Sequence, residues 1–242
     1  VLVTGAAGGI GRAVCRRLAQ GGADVLAADR TEDALAGVPG RPVAFDVTDD
    51  AAVRRAVSEV GPLDGLVLCH GITALGPAAD VPAAAVDRVL DVNLRGAILV
   101  TLAALPGLVQ QRGRIAVLTS VAGFAPLVHR TAYAASKHGV HGFFDSLRAE
   151  LAPAGVSVTL VAPSFTATGI EERAAYRSAG RLGTWSTTGE VLSPEQVAAA
   201  VVGGMAARRR LVLPSRTARL AYAVSRIAPA RYEATMRRRV LG

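Results

Sequence analysis

Cysteine, secretion signals and long apolar runs are scarce or absent in this chain of 242 residues. Its two cysteines, Cys15 and Cys69, match no metal-ligand spacing and predict no disulfide framework. No basic stretch followed by an apolar segment opens the sequence, so no secretion signal is predicted. The longest apolar run, 97–109, is too short to cross a bilayer and contains Thr101 and Pro106, which favours a buried helix. These absences predict a cytoplasmic protein, and because the chain does not begin with methionine we expect further residues before it.

Acidic residues are almost missing from the C-terminal tail, and this uneven distribution explains the formal net charge of +8. Residues 208–242 contain ten arginines and one acid, Glu233, whereas residues 1–207 are close to neutral. About half of all residues are hydrophobic and glycine is plentiful, as in globular chains and unlike disordered ones. The basic charge is therefore a property of the tail and not of the whole protein.

Short apolar strands alternate with amphipathic helices along the chain. The strand-like runs are 1–3, 23–30, 41–47, 63–71, 113–120 and 155–163, and the helical ones include 83–111 and 131–151. This alternation predicts an α/β fold: a doubly wound parallel sheet of about seven strands with helices on both faces. We expect one domain over 1–213, including a substrate loop at 164–192, followed by an arginine-rich amphipathic tail at 214–242. In such sheets ligands bind beyond the carboxyl ends of the strands.

A glycine-rich turn joins the first predicted strand to the first helix. Gly5, Gly9 and Gly11 can adopt positive φ angles and allow close backbone approach, while the helix start offers N–H groups to a phosphate. A tight turn without any ligand would also use glycines. The order of strand, turn and helix is nevertheless the context that a dinucleotide site requires.

Asp29 ends the strand that follows the glycine turn. Its carboxylate can accept hydrogen bonds from an adenosine ribose and would repel a 2′-phosphate. The next residue, Arg30, either covers the adenine face or stays solvated. The sequence therefore predicts NAD in preference to NADP.

Lys137 is the only lysine of the chain and lies one helical turn after Tyr133. Because every other basic side chain of this kind is arginine, a position that needed only positive charge would be expected to be arginine too. A compact ammonium can approach a phenol and two hydroxyls in a way that a broad guanidinium cannot. Ser120 ends a predicted strand on the ligand edge of the sheet, shortly before this helix. The pattern indicates proton-transfer chemistry, against the alternative of a half-buried tyrosine beside a solvated lysine.

Together these residues resemble the short-chain dehydrogenase/reductase family over about residues 1–207. The family's serine and tyrosine stand thirteen positions apart, as Ser120 and Tyr133 do. The positions that match its cofactor-binding residues are Thr4, Gly5, Gly9, Ile10, Gly11, Asp29, Arg30, Asp46, Val47, Gly71, Tyr133, Lys137, Pro163, Thr166 and Thr168. The resemblance implies an NAD(P)-binding Rossmann fold and an oxidoreductase that transfers a hydride between nicotinamide and an alcohol or ketone.

The resemblance also implies catalytic roles for four residues. Tyr133 would pass a proton to or from the substrate oxygen, which Ser120 would hold by a hydrogen bond. Lys137 would bind the nicotinamide ribose, and Asn93 would hold a water in a proton relay. The ammonium of Lys137, together with an oxidised nicotinamide, is expected to lower the pKa of Tyr133 from its usual value of about 10.

The family pattern is broken after the fourth predicted strand, where residues 68–70 replace Asn-Asn-Ala before Gly71. The bracing hydrogen bonds of the first asparagine are therefore lost. His70 is either a ligand contact or, as we favour, a histidine packed in a turn. His138 and His141 lie one helical turn apart, but no third ligand of suitable spacing accompanies them, so no metal site is predicted.

The segments after residues 120 and 163 are expected to border the substrate. Pro163 and Thr168 match the family's loop, where Thr166 can still offer its backbone N–H to the carboxamide of the cofactor. The aromatic or histidine side chains of these segments are Phe124, His129, Phe165, Tyr176 and Trp185. Several are expected to be packing residues, and together they favour an apolar secondary alcohol or ketone as substrate.

The tail begins with a predicted amphipathic helix that runs from about Ser215 to Pro229. Its apolar face comprises Leu220, Ala223, Val224 and Ile227. Packing on its own domain is the favoured interpretation, and peripheral contact with an anionic membrane surface is the next. Nucleic-acid binding is the weakest and is not predicted, because no aromatic interleaving or recognition motif accompanies the arginines.

Two rival functions can be weighed on the same fold. A cofactor-binding regulator would keep the glycine turn and lose the catalytic residues, and the complete set of four argues against it. A sugar-nucleotide epimerase or dehydratase needs a larger substrate domain than the region after residue 163 allows. Because family members usually pair through two long helices, the resemblance implies a homodimer or homotetramer.

Overall fold

The structure is a computed structural model that describes residues 1–172, 174–178 and 190–241. Predictions that fall on residue 173, on 179–189 or on residue 242, Trp185 among them, lie outside the described residues. The predicted substrate loop 164–192 is therefore described at its two ends only.

Seven strands form one parallel sheet that carries the fold. The strands of the described residues are β1 Leu2–Thr4, β2 Leu26–Asp29, β3 Arg41–Ala44, β4 Gly65–Leu68, β5 Ala74–Leu75, β6 Arg114–Leu118, β7 Ser157–Val161, β8 Tyr176–Arg177 and β9 Leu211–Val212. In space the sheet runs β3-β2-β1-β4-β6-β7-β9, and β5 pairs with β8 in a small second sheet. The strand order reverses between β1 and β4, so the crevice where such folds bind ligands lies at their carboxyl ends. The predicted doubly wound fold is confirmed.

Helices cover both faces of the sheet and divide the apolar core into two layers. They are α1 Gly9–Gln20, α2 Asp50–Val60, α3 Ala83–Leu90, α4 Gly96–Gln110, α5 Thr131–Leu151, α6 Pro194–Ala206, α7 Arg216–Ile227 and α8 Pro229–Leu241. Side chains of α1 and α6 pack on one face, whereas those of α2, α4 and α5 pack on the other. The predicted stripe of α1 is buried at Ile10, Val14 and Leu18, since a spacing of four places all three towards the sheet.

A π-helical turn, Asp91–Arg95, interrupts the stretch that the sequence predicts as one helix over 83–111. It separates α3 from α4 and contains Asn93. Such one-turn insertions are frequent at functional sites, because the extra residue re-aims a side chain. The local pattern of apolar residues continues through the turn, which explains why the sequence does not predict it.

The C-terminal tail contains two helices where one was predicted. α7 begins after Ser215, whose side chain accepts a hydrogen bond from the Ala218 N–H at 3.0 Å. It ends at Ile227, and Pro229 then opens α8, a position that suits proline because the first N–H of a helix has no intrahelical partner.

Among the described residues, the stretch Ala83–Gln110 is long and apolar enough to cross a membrane. Length and composition are weak evidence, because core helices of soluble domains share both. Val100, Ala104 and Leu108 on this stretch are buried against the sheet, as expected of a core helix.

Candidate active site

The glycine turn is shaped by close backbone approach. Gly5 has a φ of 67°, and a Cβ there would lie 2.5 Å from the backbone nitrogen of His70. A Cβ on Gly11 would lie 2.1 Å from the Gly5 carbonyl oxygen, so both positions require glycine whatever binds. Gly9 differs, because its nearest neighbours would stand at an ordinary 3.6 Å. This glycine leaves space over the first turn of α1, whose N-cap, Gly8, supplies no side-chain hydrogen bond.

Asp29 holds the glycine turn against β2. Its carboxylate accepts hydrogen bonds from the Ala7 N–H at 3.0 Å and from the Arg30 N–H at 2.9 Å. At Asp46, burial would raise the pKa, but hydrogen bonds from Thr48 and the positive charges of Arg88 and Arg30 lower it overall. The predicted adenosine residues thus lie at the ends of β2 and β3, beside the turn.

Thr4 and His70 connect the ends of β1 and β4. The Thr4 hydroxyl lies 2.6 Å from Nδ1 of His70, and the Cys69 N–H donates to the Thr4 carbonyl at 3.0 Å. These bonds brace the segment where the family's asparagine is missing. His70 is packed in the turn, as favoured from the sequence, and it also lines the cavity, so its role as a ligand contact stays a prediction.

One cavity of about 730 Å³ gathers most of the predicted site. Those of its lining residues that the sequence predicted are Gly9, Ile10, Gly11, Gly71, Ser120, Tyr133, Lys137, Pro163, Thr166 and Thr168. The predicted residues that do not line this cavity are Thr4, Gly5, Asp29, Arg30, Asp46, Val47 and Asn93. The cavity therefore joins the glycine turn to the predicted catalytic residues, while the adenosine residues lie outside it.

Ser120 and Tyr133 meet just beyond the end of β6. The Ser120 hydroxyl caps the short turn Val121–Gly123 by accepting the Ala122 N–H at 3.2 Å, and it is hydrogen-bonded to the Tyr133 side chain. Burial raises the pKa of Tyr133, and the lowering effects of Ser120 and the Arg130 charge do not outweigh it. The phenol therefore holds its proton firmly in this structure.

Lys137 is buried beneath Tyr133, with 4% of its surface exposed. Its Nζ donates to the Leu118 carbonyl at 3.0 Å and lies 5.7 Å from the centre of the Tyr133 ring. Burial lowers the pKa of Lys137 to about 8, against a smaller raising effect of Cys69. The expectation that Lys137, together with an oxidised nicotinamide, lowers the pKa of Tyr133 stays a prediction, because it concerns the site with its cofactor bound. Burial dominates at the phenol, and the lowering effects come from Ser120 and Arg130.

Asn93 positions the loop after β4 by hydrogen bonds at both ends of its side-chain amide. Its Oδ1 accepts the Ile72 N–H at 2.8 Å, and its Nδ2 donates to the Ile72 carbonyl at 2.9 Å and to the Ser136 hydroxyl at 3.0 Å. Ser136 in turn donates to the Tyr133 carbonyl at 2.7 Å. Asn93 thus connects the π-helical turn to the helix of Tyr133, and its predicted role in holding a water stays a prediction.

The predicted substrate-bordering side chains divide into two groups. Phe165 lines the cavity. Phe124 packs edge to face on Tyr222, with ring centres 5.0 Å apart, and also on His141 at 6.0 Å. Tyr176 lies in β8 and packs in a small apolar cluster. Several of these residues are therefore packing residues, as the sequence predicts.

Two parts of the cavity wall were missed by sequence reasoning. Arg130, 6% exposed, forms an ion pair with Glu171, and both side chains line the cavity. The second part is the tail, from which Thr217, Leu220, Ala221, Val224, Tyr232, Thr235 and Met236 also line it. No sequence signal connects the tail to this cavity, although small residues on the buried side of α7 are consistent with close docking.

The buried imidazole of His70 is expected to make the protein sensitive to acid. Burial lowers the pKa of His70 to about 3. Below pH 6.5 the imidazole is therefore protonated in the unfolded state but remains neutral in the folded state. Each pH unit below 6.5 then costs about 1.4 kcal/mol, or about 2 kcal/mol at pH 5. In urea unfolding at pH 7 and pH 5, His70→Asn should therefore lose less stability on acidification than the wild type.

His138→Asn, which replaces an exposed histidine on α5, serves as the control and should behave as the wild type does. An identical loss of stability in wild type and His70→Asn would show that His70 takes up its proton without cost.

The residues present fit a dinucleotide. The cavity wall at Gly9, the uncapped first turn of α1 and the carboxylate of Asp29 offer a phosphate and a ribose their usual partners. Gly71 adds to this fit, because a Cβ there would lie 3.7 Å from the Lys137 Nζ and 3.4 Å from the Asn93 Oδ1. No described group of three or more His, Cys, Asp or Glu side chains is placed to hold a metal ion.

The chain is similar in sequence to known dehydrogenases and reductases. A family profile described as short chain dehydrogenase matches residues 1–177. The chain is 31% identical to Dehydrogenase/reductase SDR family member 7B of Bos taurus, over 95% of this chain and 77% of the relative. It is 32% identical to Dehydrogenase/reductase SDR family protein 7-like of Anopheles gambiae, over 99% and 82%.

Solved structures show the same fold. A short chain dehydrogenase from Burkholderia cenocepacia, crystallised in complex with NADP, superposes with a TM-score of 0.86 at 23% identity, over 97% of this chain and 95% of that one. A short-chain dehydrogenase from Streptomyces avermitilis superposes with a TM-score of 0.85 at 21% identity, over 98% and 94%.

Proposed function

Since the chain belongs to the short-chain dehydrogenase/reductase family and is an NAD(P)-dependent oxidoreductase of CH–OH and C=O groups, we propose that it uses NAD(H) and an apolar secondary alcohol or ketone. The observation that carries the proposal is that Ser120, Tyr133 and Lys137 line one cavity with the glycine turn. The nicotinamide supplies or accepts the hydride when it is bound. The residues of this chain bind the substrate, orient it and transfer the proton.

Tyr133 acts as the acid or base. In the reducing direction its hydroxyl donates a proton to the substrate oxygen, and in the oxidising direction the phenolate takes that proton back. Because burial raises its pKa, the phenol is protonated at neutral pH and is ready for the reducing direction. Ser120, hydrogen-bonded to the same phenol, orients the substrate oxygen towards it.

Lys137 supplies positive charge under the phenol. Its ammonium donates to the Leu118 carbonyl, which leaves two further donors that would hold the ribose of a bound nucleotide. The apolar part of the cavity, which includes Leu127, Phe165 and Val191, supports an apolar substrate. The charges of Arg130 and Glu171 neutralise one another at its wall.

The proposed preference for NAD depends on Asp29. We expect Asp29→Asn to raise the ratio of kcat/KM for NADP to that for NAD by about tenfold or more, because the repulsion of a 2′-phosphate is removed. Asparagine keeps an oxygen that can accept the Ala7 N–H, so the glycine turn should keep its shape. The measurement is initial-rate kinetics with each cofactor.

The matched control for this prediction is Asp33→Asn, which removes the same charge from an exposed turn after β2. In this variant, the ratio of kcat/KM for NADP to kcat/KM for NAD should equal that of the wild type. A ratio that does not move in Asp29→Asn would remove the basis for the NAD assignment.

The function is tested by following reduced-nicotinamide absorbance. NAD and NADP are each offered with a panel of apolar secondary alcohols, and the reduced cofactors with the matching ketones. We expect turnover that prefers NAD and that favours apolar over charged substrates of the same size. Tight binding of NAD without turnover on any member of the panel would contradict the proposed substrate class.

A further inference from the structure

Much of the apolar face of α7 is exposed to solvent. Leu220 is 66% exposed and Ile227 is 85% exposed, and Ala223 between them is exposed as well. The helix docks instead through its small residues, with Ala218 and Ala221 buried. An exposed leucine and isoleucine on one helical face forgo the stabilisation that burying each side chain would provide. Such a face indicates an interaction surface.

Two specific contacts fix this orientation of α7. The ring of Tyr222 packs edge to face on Phe124, and the Ser215 hydroxyl lies 2.8 Å from the Ser164 hydroxyl. Ser215 is 1% exposed and also caps the helix. The helix is therefore held by its opposite side, and the apolar face cannot turn inward without breaking both contacts.

Arginines surround the exposed face. Arg216 lies on the same stripe as Leu220, at a spacing of four residues, and Arg219 and Arg226 lie together along one side of it. α8 adds further exposed arginines, among them Arg231, Arg237 and Arg238. With Glu233 as the one acid of residues 208–242, an apolar stripe is set in a strongly basic surface.

We propose that the surface formed by the exposed face of α7 and the arginines of α7 and α8 docks on an anionic phospholipid bilayer. Aliphatic side chains that enter the interface and arginines that pair with lipid phosphates are the features of helices that lie on such membranes. A second copy of the chain would bring the same positive charge to the contact, which disfavours pairing through this face. Nucleic acid would engage the arginines but offers nothing to Leu220 and Ile227.

The docking surface lies beside the mouth of the cavity that contains Tyr133. Leu220 is both largely exposed and part of the cavity wall, and the less exposed Val224 and Met236 line the same wall. An apolar alcohol or ketone dissolved in the bilayer then has a short apolar route to the phenol. This route rests on the proposed function, whereas the docking surface does not.

The test is co-sedimentation of the full chain with vesicles of phosphatidylcholine alone or with 30% phosphatidylglycerol, a composition of about one anionic lipid in three. We expect binding to the anionic vesicles that falls when salt is added, because exposed charges are screened. Arg216→Gln/Arg219→Gln should weaken the partition coefficient about 30-fold, since each arginine near such a surface contributes about fivefold. Leu220→Ser/Ile227→Ser should weaken it at least as strongly.

Matched controls distinguish binding through this surface from non-specific electrostatic or hydrophobic binding to vesicles. Arg17→Gln/Arg55→Gln removes two exposed arginines from α1 and α2, and Leu102→Ser removes a leucine that is 46% exposed on α4. Both should bind as the wild type does, and circular dichroism checks that all variants are folded.

Three outcomes would overturn the proposal. They are equal binding to neutral and anionic vesicles, unchanged binding of both α7 variants, and self-association or DNA binding that these variants abolish without any vesicle binding. Since the readout contains no substrate or cofactor, failure of the proposed reaction would leave the vesicle result intact. Vesicle binding that the α7 variants lose supports the proposal even if no substrate has been found.

Discussion

Replacing Tyr133 by phenylalanine is expected to lower kcat by about 10²–10⁴-fold, the usual contribution of a positioned acid or base. The phenol is the group whose hydroxyl contacts Ser120 in the cavity, so its removal deletes the proton donor and leaves the ring in place. Tyr133 is 8% exposed, and phenylalanine fits the same packing. The fold and the affinity for NAD should therefore change little.

The measurement combines steady-state kinetics with calorimetric titration of NAD. Tyr176→Phe removes a hydroxyl from β8, outside the cavity wall as described, and should keep full activity. If Tyr133→Phe retained more than a tenth of the wild-type kcat, the acid/base role would belong to another group.

Lys137→Arg is expected to lower kcat/KM by about 10²-fold, although the positive charge is kept. The Lys137 side chain is buried, and its Nζ fits between the Leu118 carbonyl and the space above Gly71. A guanidinium is broader and planar, so it must displace either the loop after β4 or the end of β6. Because the same nitrogen is proposed to hold the ribose, the affinity for NAD should fall together with the rate.

Lys137→Met supplies the comparison, since it removes the charge and keeps a similar volume. The methionine variant sets the activity that remains without the charge. We expect Lys137→Arg to regain less than a tenth of the difference in kcat/KM between Lys137→Met and the wild type. Recovery of half or more would mean that the site needs only a charge, and the rarity of lysine in this chain would then have no chemical explanation.

Much of the fold and of the site could be predicted because local patterns set them. The helix that carries Tyr133 and Lys137 has the predicted bounds, 131 and 151, since its apolar spacing continues to the end. Gly5 and Gly11 were identified as a turn because no other residue fits their backbone. Residues with such local requirements leave a signal in the sequence.

Other features depend on neighbours that are distant in sequence. The periodicity of α7 favoured packing of its apolar face on the domain, but Ala218 and Ala221 are the buried residues, while Leu220 and Ile227 are largely exposed. The raised pKa of Tyr133 follows from the burial that the assembled cavity imposes. The hydrogen bond between Thr4 and His70 joins residues 66 positions apart and has no local signature.

Two different parts of the chain line the cavity, and one of them could be exchanged in a redesigned enzyme. The reacting groups are attached to the sheet and to α5, whereas α7 and α8 follow β9 and line one side of the cavity. Exchanging this terminal segment for that of a homologue would reshape the substrate pocket without changing the order of the strands. The part of substrate selectivity that α7 and α8 contribute could therefore diversify by recombination at a single crossover after residue 213, with Ser120, Tyr133 and Lys137 unchanged.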